Sequence, residues 1–62
     1  MKTAQIKRRY TEIARVGGGF CAVLRIGNQM FTLGGGTREE ARWLREMLAK
    51  ALLTMIRQES RR

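Results

Sequence analysis

The stretch from Phe20 to Lys50, FCAVLRIGNQMFTLGGGTREEARWLREMLAK, constrains the fold of this chain more than any other. Its second half opens with Thr37-Arg38-Glu39-Glu40, the pattern of a capping box. The Thr37 hydroxyl is expected to take the amide of Glu40, and the Glu40 carboxylate to reach back. Acidic residues in a first helical turn also suit the helix dipole. The helix is predicted over 38–58, with Ala41, Leu44, Leu48, Ala51, Leu52 and Met55 on one stripe at helical spacing. Arg57, Arg61 and Arg62 place cations at its C-terminal end, where the dipole favours them. The first half of the stretch holds two short apolar runs either side of Gly27-Asn28. Both turn residues tolerate positive φ, so a two-residue primed hairpin turn is expected between strands 20–26 and 29–33. Gly34-Gly35-Gly36 then swings the chain across the sheet.

Upstream, IKRRYTEIARV alternates in character and carries branched or aromatic residues at Ile6, Tyr10, Thr11, Ile13 and Val16. It is predicted as a first strand, 6–16, with 1–5 a frayed end. Gly17-Gly18-Gly19 suits a hairpin loop of a few residues. The expectation is an α+β fold of one small domain: a three-stranded antiparallel meander under one C-terminal helix, β-β-β-α. Alternation divides the strands into two faces. Phe20, Ala22, Leu24, Phe31 and Leu33 form the larger apolar set and are expected against the helix. Cys21, Val23, Arg25, Met30 and Thr32 would then face outward. Lys7, Arg9 and Arg15 alternate in step with Ile13, and would join them if strand one has that register; a slip of one residue reverses the assignment.

Charge narrows the function. The 62 residues carry 13 Lys and Arg against 5 Asp and Glu, a net +8. A pI near 11.4 is the electrostatic footprint of a nucleic-acid binder, or of a protein that docks on an acidic surface. There is no histidine and one cysteine, Cys21, so neither a Cys–His nucleophile nor a metal cluster can be assembled. Glu39, Glu40, Glu46 and Glu59 read as a solvated helix face, with Lys50 four residues beyond Glu46. No enzyme activity, cofactor or metal is expected. The glycine triplets lack either phosphate-cradling pattern. No apolar run reaches the ~20 residues of a membrane span. No hydrophobic signal core follows the basic N-terminus. A single buried thiol suits a reducing cytoplasm.

Phe20, Ala22, Leu24, Arg25, Ile26, Phe31, Leu33, Gly34, Thr37, Glu39, Glu40 and Ala41 occur in an order that resembles the Apetala-type DNA-binding domains and the related arm-type domains of phage integrases. The likeness covers about half of the chain. It implies a sheet whose outer face enters the DNA major groove while the helix braces its back. On that likeness Arg25 matches a DNA-contacting position, Arg15 a position on strand one, and Met30 and Thr32 positions that are often basic and aromatic or polar. Cys21, Val23 and Met30 stand where the family keeps polar groups, which shifts the weight from base edges to phosphates.

Two functions follow. In the first, a small DNA-binding protein of a phage or mobile element holds double-stranded DNA through Lys7, Arg8, Arg9, Arg15, Arg25 and Thr32. In the second, the chain is a protein-binding module, either a phage-encoded inhibitor of a host system in the manner of anti-CRISPR proteins or a homodimer. Its surface would comprise Val23, Met30, Trp43, Met47 and Leu53. Trp43 and Leu53 lie off the predicted helix stripe, and Trp43 suits a core rim as well as a partner surface.

Overall fold

The computed structural model describes the backbone of residues 2–60 and the side chains of 2–59. The expected helix-end cations Arg61 and Arg62 lie outside the described residues. The order of elements is α1 (Thr3–Tyr10), β1 (Thr11–Val16), β2 (Gly19–Ile26), β3 (Gln29–Gly36) and α2 (Arg38–Ser60). The sheet is an antiparallel meander in the order β1-β2-β3, and α2 packs across it. The α+β class, the meander and the long C-terminal helix are as the sequence predicts.

The hairpin turns form as their glycines dictate. Gly17 and Gly27 take φ of 60° and 59°, while no non-glycine residue, Asn28 included, has a positive φ. A positive φ at the first turn position alone is the II′ pattern, which matches the right-handed twist of the strands. Gly34 and Gly35, with φ of 97° and 139°, do not end the sheet as expected. They continue β3 through a bulge opposite Phe20 and Cys21. At the start of α2 the Glu40 amide donates to the Thr37 hydroxyl at 3.2 Å, the cap read from the sequence.

The N-terminus departs from expectation. Residues 3–10 are helical, so strand one begins at Thr11 rather than at Ile6. An eight-residue helix is marginal alone, and tertiary contacts hold this one. Ile6 is completely buried against Ala49 and Leu53 of α2, with Tyr10, Leu52 and Ile56 packed around them. At the front end, the Lys2 amide donates to the Gln5 side chain at 2.9 Å. At the back end, the carbonyl of Lys7 accepts from the Thr11 hydroxyl at 2.7 Å and from Nη2 of Arg45 at 3.1 Å. Nε of Arg45 also donates to the Thr11 hydroxyl, at 2.9 Å. A guanidinium from α2 thus joins the Thr11 amide and hydroxyl on the last turn of α1, where the helix dipole favours positive charge.

The sheet faces are the reverse of the expected ones. Cys21 is 4% exposed and Val23 3%. They share a face with their cross-strand partners Ala14 and Gly34, Glu12 and Thr32. Alanine and glycine cannot screen a thiol, so the cover over Cys21 is α2. Consistently, a Cβ added to Gly34 would meet a methyl of Leu44 at 3.0 Å. The opposite face carries Phe20, Ala22, Leu24, Ile26, Phe31 and Leu33. There Phe31 is 49% and Leu33 46% exposed, and only the small Ala22, ringed by larger neighbours, is fully buried. The smaller side chains take the helix-facing side, where α2 presents the wholly buried Ala41, and alanine permits close approach.

The helix stripe also shifts. Ala41 is buried and Leu44, Leu48 and Leu52 are half-buried as expected, but Ala51 and Met55 are exposed. Beyond Leu48 the buried side turns toward α1, which brings in Ala49, Leu53 and Ile56. Leu53, predicted as a partner-facing residue, is therefore core, and so is Val23.

Candidate nucleic-acid interface

The cations predicted on the sheet are divided among three places. Lys7, Arg8 and Arg9 lie in the last turns of α1, not on a strand. Arg15 is on β1 with its guanidinium 5.9 Å from the centroid of the Phe20 ring, on the open face. Arg25 is on the opposite face, close to the β2–β3 turn, with Nη2 2.7 Å from the Glu12 carboxylate. Arg15 and Arg25 therefore do not act on one surface. Thr32 and Met30 are exposed on β3, on the Arg25 side.

Three arginines that the sequence reading did not single out complete a different arrangement. Arg38, Arg42 and Arg45 fall at i, i+4 and i+7 on α2, with Ala49 at i+11, so they line the flank on which Ala49 and Leu53 meet α1. Their spacing was visible; their joining with α1 was not, because the helical state of residues 3–10 depends on tertiary contacts. Arg45 is committed to α1 and Thr11. Arg8, Arg9, Arg15, Arg38 and Arg42 are exposed. Among the described residues the ion pairs are Lys7–Glu46, at 2.5 Å, and Arg25–Glu12. Glu46 thus pairs across the fold with Lys7 rather than only along the helix with Lys50. The hydrogen bond from Lys7 is the main cause that holds the Glu46 carboxyl below its usual pKa; desolvation opposes it, and the charges of Lys7, Lys50 and Arg45 add to the lowering.

The side of the molecule formed by α1 and the neighbouring flank of α2 is therefore basic, and Arg15 stands on the open face of the adjoining strand β1. The far side, along β3, has no charged residue in Gln29–Gly36. The open sheet face offers Ile13, Phe20, Leu24, Ile26, Phe31 and Leu33, with Arg15 and Gln29 as its donors.

Among the described residues no three His, Cys, Asp or Glu come together in a way that could hold a metal ion, and no helix is long and apolar enough to cross a membrane. Comparison with protein-family models, curated proteins and solved structures finds no match to this chain.

Proposed function

We propose that the protein binds double-stranded DNA through its basic side, chiefly by phosphate contacts. The observation that carries this reading is that Arg8, Arg9, Arg15, Arg38 and Arg42 are exposed and outside the described ion pairs, with Arg8 and Arg9 on α1, Arg38 and Arg42 on the flank of α2 that meets it, and Arg15 on the adjoining strand β1. Guanidinium groups suit phosphate oxygens in fork geometry. The open sheet face has two side-chain donors and a broad apolar area, so a sheet laid in the major groove would read few base edges. Phosphate binding positions a protein without selecting sequence, and weak sequence preference is expected. The setting is the reducing cytoplasm of a bacterial or phage-infected cell, where Cys21 stays a thiol.

Fluorescence anisotropy with a labelled duplex tests this. Five neutralised phosphates give a log–log salt slope of about −4.5, or about 500-fold weaker binding at 200 mM than at 50 mM salt. The double variant Arg38→Ala, Arg42→Ala should lower the slope by roughly 2. Arg25→Ala, whose partner is Glu12, should leave it near the wild-type value. Absence of binding at 50 mM salt, or a loss confined to Arg25→Ala, would reject the assignment.

The uncovered apolar face supports a second reading, a phage-encoded inhibitor that docks on a host protein. Phe31 and Leu33 beside Arg15 suit a partner with an apolar patch and acidic rim. Capture from host lysate by the wild type, and its loss in Phe31→Glu but not in the double arginine variant, separates this from DNA binding.

A further inference from the structure

We propose that the outer edge of β3 pairs antiparallel with β3 of a second copy of the chain, so that two three-stranded sheets become one. The inference is independent of the DNA reading and rests on the other side of the molecule.

The two edges of this sheet are treated differently. β1 is six residues long, contains Glu12 and Arg15, and is entered directly from α1, which packs beside it. Charges and covering elements of this kind are how natural sheets avoid edge pairing. β3 has eight residues, all exposed, with no charge and no proline. Its bulge lies at the Gly34–Gly35 end, which leaves Gln29 to Leu33 as regular strand with one row of backbone groups unpaired. Such an edge is a template for another strand.

A two-fold axis through the sheet keeps like faces together, so pairs across it must have the same facing. An axis at Thr32 sets Phe31 against the partner's Leu33, twice, and extends the open apolar face across the join. Cross-strand aromatic–aliphatic pairs of this kind stabilise sheets. On the other layer, α2 has an exposed apolar row at Met47, Ala51 and Met55, spaced by four residues, with Trp43 at its start. This row is on the flank of α2 turned away from α1.

Area and charge agree. A compact monomer of 7.1 kDa is expected to expose about 4,100 Å². This chain exposes 4996 Å², an excess of about 900 Å², close to the roughly 800 Å² that each partner contributes to a standard interface. A chain of net +8 resists self-association, but the β3 edge is the uncharged one. Pairing there leaves the basic sides facing outward at the two ends.

Sedimentation equilibrium at about 50 μM, without DNA, tests the pairing. The expected mass is twice 7.1 kDa. Thr32→Lys places two ammonium groups opposite one another at the axis and should return the mass to that of one chain, with unchanged circular dichroism. Val16→Lys, an exposed site on the β1 edge, should leave the dimer intact. A wild type that remains monomeric at 50 μM overturns the proposal. So does a dimer that survives Thr32→Lys; its loss in Phe31→Glu would then place the contact on the open face instead.

Discussion

Replacing Ile6 by alanine tests the feature on which the N-terminal third of the fold depends. Ile6 is the largest fully buried side chain, and it is held among Ala49, Leu53 and the partly buried Tyr10, Leu52 and Ile56. Isoleucine-to-alanine changes at buried sites cost about 2–5 kcal/mol, the spread set by how far the surroundings collapse. Here α1 is a short element at the chain end and can shift toward α2, so the low end, about 2–3 kcal/mol, is expected. At 0.05–0.15 kcal/mol per residue, a domain of this length has a total of roughly 3–9 kcal/mol. Two methyl groups and one methylene thus carry a large share. The corresponding fall in Tm is about 10–20 °C at ~4–8 °C per kcal/mol. Urea unfolding followed by circular dichroism, with Ile6→Val as the graded control at about 1 kcal/mol, measures it. If α1 undocks before the sheet unfolds, the alanine variant also shows a smaller m-value, because less surface remains to be exposed. A variant within 0.5 kcal/mol of the wild type, with the same m-value, would refute the packing of Ile6 between the helices.

The reversed sheet faces predict that Cys21 resists a chromogenic disulfide reagent in native buffer and reacts at once in denaturing urea; prompt reaction in the native state would show α2 on the other face. Gly34→Ala should destabilise by about 1–3 kcal/mol, since a φ of 97° disfavours any side chain and the new Cβ would press on Leu44; calorimetry showing an unchanged Tm would contradict this. Glu46 has a folded-state pKa lowered by Lys7, so its stabilisation is present above the ordinary carboxylate pKa of about 4.3 and fades as pH falls through the lower folded value. Stability measured across pH 2.5–6 should therefore fall on the acid side in the wild type and less steeply in Glu46→Gln; identical profiles would remove Glu46 from that response.

Thr37 and Glu40 announced the start of α2, and Gly17 and Gly27 the hairpin turns, because a cap or a positive φ is a local requirement written in a few adjacent residues. Residues 6–10 misled, since IKRRY fits a strand pattern and a short helix equally well. Only Ile6 docking on Ala49, and Arg45 closing the Lys7 carbonyl, decide for helix. The candidate site was partly legible for the same reason: Arg8, Arg9 and Arg15 were visible as cations, while their company with Arg38 and Arg42 depended on where α1 lies.

The sequence by itself determined the number of strands, the turns between them, the cap and the extent of the long helix, all set by interactions within a few residues of one another. It also set the charge, which no packing alters. The tertiary structure alone decided which sheet face is covered. Summed hydrophobicity favoured Phe20, Leu24, Phe31 and Leu33, yet the face that α2 covers carries the smaller Cys21 and Val23. Alternation gives two faces and leaves the choice to shape complementarity between elements far apart in the chain. That choice left the large apolar face uncovered, while the lie of α1 against α2 decided which arginines keep company.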